Sequence, residues 1–307
     1  MPQPTSPGDY ADFYRQSIAP DTREAFWLEQ ARAIDWPQAP QQACDYHNPP
    51  FARWFADGQL NLCHNAVDRH LAQRADQPAI IAVSTETNTE RVYTFAQLHE
   101  EVQRMAAVLQ SFGVGKGDRV QIYMPMIAEA AFAMLACVRL GAIHSVVFGG
   151  FASVSLASRI DDAQPKVVIS ADAGSRGGKA IAYKPLLDEA LQLAKHKPAA
   201  VLLVDRGLAP MPLQAGRDHL WSTLRTQPQF SEAKVPCTWL NSSDPSYILY
   251  TSGTTGKPKG VQRDTGGYAV ALASSMQHIF AGKAGQTFFT TSDIGWVVGH
   301  SYIIYGP

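Results

Sequence analysis

An α/β fold built on a parallel sheet is the class this sequence predicts, and three observations carry that prediction. From about residue 120 onward, short apolar runs alternate with helical segments, the pattern of βαβ crossovers with helices on both faces of a sheet. Composition is globular, with 46% of the 307 residues hydrophobic and 17% charged, enough apolar material for a sizeable core. The apolar run 247–250 leads straight into TSGTTGKPKG at 251–260, which holds three glycines, four hydroxyls and two lysines. Glycine lets backbone N–H groups approach an anion closely, hydroxyls add donors without bulk, and lysine supplies compact positive charge, so this is the composition of a phosphate-holding loop. The same residue types also make ordinary exposed turns. Spacing excludes a Walker A loop, because Lys257 follows Gly256 and is itself followed by Pro258.

Taken in order, residues 1 to about 60 are rich in proline and aromatics (Phe26, Trp27, Trp36, Phe51, Trp54, Phe55), with one helical pattern at 22–34 and little strand pattern. They read as an extension that wraps a larger domain, which divides the chain into 1–62 and 63–307. A helix is expected at 62–74, then two short strands, 79–83 and 91–93, joined by a polar hairpin link at 84–90. Thr94 opens the next helix with Gln97 as its capping-box partner; Phe95, Leu98, Val102, Ala106, Leu109 and Phe112 follow at helical spacing, and Gly113 closes it. The GVGKGD segment at 113–118 has a phosphate-loop look, but a strand follows it, so it reads as a helix stop and strand lead-in.

Beyond it come strands at 120–124, 142–148, 166–171 and 199–205, separated by helices at 127–140, 154–163 and 183–195. Residues 206–245 are a polar, proline-containing excursion, and the sheet resumes at Ser246. A helix is expected at 267–280, a strand at 287–291, and the beginning of an apolar helix at 299–305. An α/β unit that stopped there would leave apolar surface uncovered, so the sequence is expected to be the front part of a longer protein.

Bulk properties exclude several classes. Twenty-six basic and 27 acidic residues give a net charge of −1, with no run of five or six like charges, so nothing points to nucleic acid or an anionic membrane surface. A basic region followed by an apolar core is not visible at the amino terminus, and no stretch approaches the ~18 apolar residues of a membrane span. Cys44, Cys63, Cys137 and Cys237 lie far apart and form no C-x-x-C pair, so neither a zinc site nor a disulfide framework is suggested, and Cys137 reads as core filler. These features fit a cytoplasmic protein with reduced thiols, and no protein partner is predicted.

TSGTTGKPKG preceded by YILY resembles the phosphate loop of the adenylate-forming superfamily. The segments at 123–152 (YMPMIAEAAFAMLACVRLGAIHSVVFGGFA), 170–179 (SADAGSRGGK) and 292–302 (SDIGWVVGHSY) narrow the resemblance to the AMP-forming short-chain acyl-CoA synthetases, over essentially the whole chain. The aromatic amino-terminal segment matches that branch. KGVQRDTGGYAVAL carries Gln262 and Arg263 where acetate-activating members usually have leucine and histidine, which makes it most similar to the propionate–CoA ligases.

The resemblance implies the large amino-terminal domain of such an enzyme, with ATP, Mg²⁺ and CoA as cofactors and a short-chain carboxylate, propionate or acetate, as substrate. It implies that Thr251, Ser252, Gly253, Thr254, Thr255, Gly256 and Lys257 cradle the β- and γ-phosphates of ATP, with Lys259 in support. Arg176 and Lys179 would hold the 3′-phosphate of CoA, and Gly149 and Gly150 would let the backbone pass close to it. Taken alone, such a pair of cations is ordinary solvated surface. Trp296, Val297 and Val298 match the acyl pocket, although apolar residues alone would read as core; Val298 stands where acetate-activating members usually have threonine, and one methylene gives only ~1–3 kcal/mol of discrimination. His300 is expected to be structural. The adenylation lysine and the mobile carboxy-terminal domain of this family would lie beyond residue 307, so the 307 residues alone are expected to show little ligase activity. Two other readings stay open: another acyl-CoA ligase of the superfamily, and a non-catalytic nucleotide- or CoA-binding remnant.

Overall fold

The computed structural model describes residues 7–252 and 258–307. Helices α1 (Pro7–Ile18) and α2 (Arg23–Ala31) begin the chain, followed by the antiparallel pair β1 (Cys44–Asn48) and β2 (Phe51–Trp54) and the short β3 (Gln59–Leu60). Aromatic residues hold this segment together: Phe13 meets Phe26 edge-on at 4.9 Å between ring centroids, and Trp27 meets Trp54 at 5.8 Å. Large rings bury much apolar area for few rotatable bonds, and they pack a segment that holds two helices and three short strands where the sequence suggests one helix and little strand.

The helix expected over 62–74 is broken. It forms as α3 (Leu62–Ala66), a 3₁₀ turn (Asp68–His70) and α4 (Leu71–Arg74), because Val67 leaves helical geometry (φ −129°, ψ −64°) with its side chain fully buried. That break sets Asp68 against Arg139, 2.8 Å away. The expected hairpin is present as β4 (Pro78–Ser84) and β5 (Thr89–Thr94). Helix α5 (Phe95–Ser111) carries the full capping box, Gln97 N–H to Thr94 Oγ1 and Thr94 N–H to Gln97 Oε1.

The βαβ alternation then unfolds as β6 (Arg119–Tyr123), α6 (Ala128–Arg139), β7 (Ile143–Val146), α7 (Ser153–Ala163) and β8 (Val167–Ala171). After a hairpin of β9 (Ala173–Arg176) and β10 (Lys179–Ala182) come α8 (Tyr183–Leu193) and β11 (Ala200–Val204). The excursion holds β12 (Asp218–Leu220), α9 (Trp221–Leu224), α10 (Pro228–Ser231) and β13 (Leu240–Asn241); β14 (Pro245–Thr251), β15 (Lys259–Asp264), α11 (Gly266–His278) and α12 (Val297–Gly299) follow, and a π-helical turn, His300–Tyr305, ends the described chain.

Seven strands form one sheet in the order β12-β11-β8-β6-β7-β14-β15, parallel throughout except for the antiparallel β14–β15 edge. Alternate strand residues serve opposite cores. Val167 and Ile169 face the α5–α6 side with Leu202, while Val168, Val201 and Leu203 face the α7–α8 side with Leu156 and Leu187. Helices therefore cover both faces, as the sequence predicts.

Residues 287–291 form no strand. Phe289 is 83% exposed and no described strand pairs with this stretch, so its β-prone residues lack the neighbour a strand needs. Thr290 Oγ1 instead donates to the Tyr302 carbonyl at 2.8 Å. No helix among the described residues is long and apolar enough to cross a membrane.

Candidate active site

A cleft of about 230 Å³ opens at the carboxyl ends of the parallel strands. Its position follows from topology. The connection leaving β6 goes to β7 on one side and that leaving β8 goes to β11 on the other, although β6 and β8 are neighbours. Where successive crossovers diverge, the loops splay apart and leave a crevice, the usual ligand position in open α/β sheets.

The floor is aromatic. Tyr183, first residue of α8, stacks on Tyr123 at the end of β6, 4.8 Å between centroids and 28° between planes. Tyr123 donates its hydroxyl to the carbonyls of Phe151 (3.2 Å) and Gly149 (3.4 Å). Burial raises both phenols, Tyr183 up to about 12 with help from the negative charge of Asp293 and Glu86, so each stays protonated and available as a donor. The backbone under Tyr183 is fixed by Asp172, fully buried after β8. Its carbonyl accepts from Tyr183 N–H (2.8 Å), and its carboxylate accepts from the N–H groups of Ala173 (2.8 Å) and Leu208 (2.6 Å).

Two glycines flank that ring. A Cβ placed on Gly149 or on Gly174 would lie 2.6 Å from Tyr183 Cζ, far inside van der Waals contact, and one on Gly150 would lie 3.0 Å from Phe148 Cδ1. Gly149 and Gly150, expected from the sequence to admit CoA, thus also have a structural reason to be glycine: the tyrosine floor and Phe148 fill the space a side chain would take.

The walls are two hairpins. Ser84 and Glu86, at the β4–β5 turn, are locked by Arg206, which pairs with Glu86 and donates to Ser84 Oγ at 3.0 Å and the Ala173 carbonyl at 3.3 Å. Opposite, β9 and β10 are joined by Gly177 (φ +59°) and Gly178 (φ +75°), the two left-handed residues of the tight turn that matches strand twist. Arg176 and Lys179 are cross-strand partners on either side of this turn, and Lys179 is exposed. The cleft side of the same hairpin contributes Gly174 and Ser175.

Asp293 closes the remaining side. Burial raises its carboxyl, partly offset by a hydrogen bond from Gly295 N–H at 2.6 Å. Trp296 N–H donates to the Asp293 carbonyl at 3.0 Å, and the Trp296 ring lies 5.8 Å from Phe148, so the expected acyl-pocket segment does abut the cleft. Trp296, Val297 and Val298 are 48%, 56% and 47% exposed, however, and form no enclosed cavity among the described residues. An acyl pocket needs further walls to become one.

Thr251 ends β14 opposite Lys259 of β15, and Ser252 follows; both are exposed. Because β14 runs parallel to β7, they sit at the same end of the sheet as the cleft. Gly253, Thr254, Thr255, Gly256 and Lys257 lie outside the described residues.

Sequence reasoning missed Tyr183, Asp172 and Asp293. Asp293 lies within the SDIGWVVGHSY segment and could have been singled out there. Asp172 likewise lies within SADAGSRGGK, whereas nothing local marks Tyr183; the roles of both come from contacts made across the fold.

Comparison with known proteins identifies the family. The family described as AMP-binding enzyme matches residues 67–307, and that described as acetyl-coenzyme A synthetase N-terminus matches residues 10–66. A propionate–CoA ligase of Escherichia coli (strain K12) is 61% identical over 298 residues, covering 97% of this chain and 47% of the relative. The mitochondrial acyl-CoA synthetase short-chain family member 3 of Homo sapiens is 45% identical over 304 residues, covering 98% and 43%. Among solved structures, acetoacetyl-CoA synthetase from Streptomyces lividans superposes with a TM-score of 0.84 at 26% identity, over 96% of this chain and 45% of that one. The chain thus spans about half the length of the curated relatives it matches. With a family match over most of its length, the chain belongs to the AMP-binding enzyme family.

Proposed function

We propose that this chain is part of a cytoplasmic AMP-forming short-chain acyl-CoA synthetase acting on propionate, with acetate as the nearest competitor, and that the cleft takes CoA. In the first half-reaction a carboxylate oxygen attacks the α-phosphorus of ATP and pyrophosphate leaves. In the second, the CoA sulfur attacks the acyl carbon and AMP leaves. The observation that carries the CoA reading is a tyrosine-floored cleft walled by the β9–β10 hairpin, in which Arg176 and Lys179 are cross-strand partners beside the turn. A linear pantetheine arm suits such a cleft, and a phosphate at its outer end suits Arg176 and Lys179.

For ATP, Thr251, Ser252 and the following glycine, threonine and lysine residues through Lys257 are the proposed phosphate contacts, where bound Mg²⁺ would share the charge. Trp296, Val297 and Val298 are the proposed acyl contacts, and substitution of threonine by Val298 favours the more apolar acid.

Titration calorimetry with CoA and dephospho-CoA tests the cleft assignment. The parent chain is expected to prefer CoA by at least about tenfold, and the preference should fall in Lys179→Ala and collapse when Arg176→Ala is added, with dephospho-CoA affinity unchanged in both. Equal affinity of the parent chain for both ligands would remove the phosphate contact from the hairpin.

A further inference from the structure

Cys63 and Cys237, remote in sequence, meet in the fold. Their sulfur atoms and the Asp68 carboxylate lie within 4.8 Å of one another, and each thiol is 3.8 Å from the same oxygen, Asp68 Oδ2. The backbone on either side is pinned. Asn61 Nδ2 donates to the Thr238 carbonyl at 2.8 Å, Leu60 and Leu240 are antiparallel partners, and Thr238 N–H donates to the Arg139 carbonyl at 2.8 Å. The two thiols thus sit on backbone that these hydrogen bonds hold in place, with their sulfur atoms already within 4.8 Å.

The surroundings separate the two sulfurs by role. Cys63 is fully buried and Cys237 is half-buried, so only Cys237 is open to a small solute. Arg139 donates to Cys63 Sγ at 3.4 Å and to both oxygens of Asp68 at 2.8 and 2.9 Å. The same guanidinium already engages Cys63 Sγ and both Asp68 oxygens, and its charge opposes a divalent cation there, so a metal site is the poorer reading of two thiols and a carboxylate.

We propose that Cys63 and Cys237 are a peroxide-responsive pair that forms an intramolecular disulfide. Cys237 sulfur attacks a peroxide oxygen; the O–O bond breaks, giving Cys237 sulfenic acid and, from hydrogen peroxide, water. Cys63 sulfur then attacks the sulfenic sulfur, the S–O bond breaks, and the departing hydroxide takes the Cys63 proton to leave as a second water. Asp68 Oδ2, equidistant from both thiols, relays that proton, and Arg139 stabilises the developing negative charge on Cys63. The bond would tie the start of α3 to the segment before β13 and close a long chain loop, restricting the unfolded chain.

The test is hydrogen peroxide treatment of the folded 307-residue chain, alkylation of free thiols, and peptide mass spectrometry. The expected product is a Cys63–Cys237 linked peptide lighter by two hydrogen atoms, reversed by a thiol reductant. Cys63→Ser should stop at a Cys237 sulfenic acid that dimedone traps, and Cys237→Ser should leave Cys63 unoxidised. Both thiols alkylating freely after treatment, linkage of Cys237 to Cys44 or Cys137 instead, or zinc retained through dialysis with both thiols protected would each overturn the proposal. Should Cys63→Ser fail to fold, the parent chain and Cys237→Ser decide between these outcomes.

Discussion

Acidification from neutral pH to about 4 is expected to remove about 3 kcal/mol of stability through His300 alone. This histidine is fully buried, and neither ring nitrogen has a hydrogen-bond partner among the described residues. Burial lowers it from its ordinary 6.5 to about 4, with backbone contacts at Ile294 and Trp296 offsetting part of the effect. His144, 5.1 Å away between ring centroids, is lowered well below the ordinary value by burial and by His300. Its one bonded nitrogen, Nε2, lies 2.7 Å from the Tyr305 hydroxyl.

The sign follows from proton counts. Below pH 6.5 the unfolded chain binds protons at both histidines while the folded chain does not, so stability is complete above 6.5 and is lost as pH falls toward 4. Asp264 and Asp293, raised mainly by burial, act the other way in the lower part of this window. Below it, Asp68 adds to the loss: burial opposes its ionisation, but His99 and Arg139 hold it well below the usual carboxylate range. Urea unfolding at a series of pH values checks this, with His300→Phe as the comparison. The parent should lose stability steeply and the variant less steeply; parallel profiles would show that His300 does not titrate in unfolding.

That histidine pair also shows where the sequence stops being informative. Local features were legible because their causes are local. Thr94 and Gln97 announce a helix start through a three-residue spacing, whereas the β9–β10 hairpin around Gly177-Gly178 was not expected from the sequence. Apolar runs such as AVLLV at 200–204 can only be strands buried on both faces once helices flank them. The alternation therefore predicts the parallel sheet, and the sheet's order sets where the cleft opens. Contacts across the fold left no such trace. Tyr183 becomes the floor of the cleft because β6 lies beneath it and two glycines leave room, and Asp172 becomes an anchor because the chain returns at Leu208. The 287–291 stretch has the composition of a strand but no described partner, and 62–74 has helical periodicity but breaks at Val67 to deliver Asp68 to Arg139. In both, a tertiary contact outweighed local preference. The resemblance at the glycine-rich loop carried information of a different kind, since it rested on a long string whose central residues lie outside the described chain.

Arg139→Met is expected to cost about 3–5 kcal/mol, among the largest losses available to a single substitution in this chain. Arg139 ends α6 with its side chain only 3% exposed, and every group of its guanidinium is engaged. Nη1 and Nη2 bind Asp68 in parallel at 2.8 and 2.9 Å, and Nε donates to the Val235 carbonyl at 2.6 Å. Val235 N–H in turn donates to Gln103 of α5 at 2.6 Å, and Gln103 meets His99 at 2.9 Å. One side chain thus joins α6, α5, the turn after α3 and the segment leading to β13. Methionine has similar reach and no charge, so the substitution leaves Asp68 mostly buried without its strongest partner. The cost is that of a carboxylate left with His99, 3.5 Å away, as its one ion-pair partner among the described residues, not of lost volume. A second substitution, Asp68→Leu, distinguishes the two causes: if the penalty is the stranded charge, Arg139→Met with Asp68→Leu should recover much of the stability that Arg139→Met loses. Urea unfolding of the two single variants and the double variant measures the coupling. Additive losses would show that the pair contributes by packing alone, and that the break at Val67 is not there to place a charge.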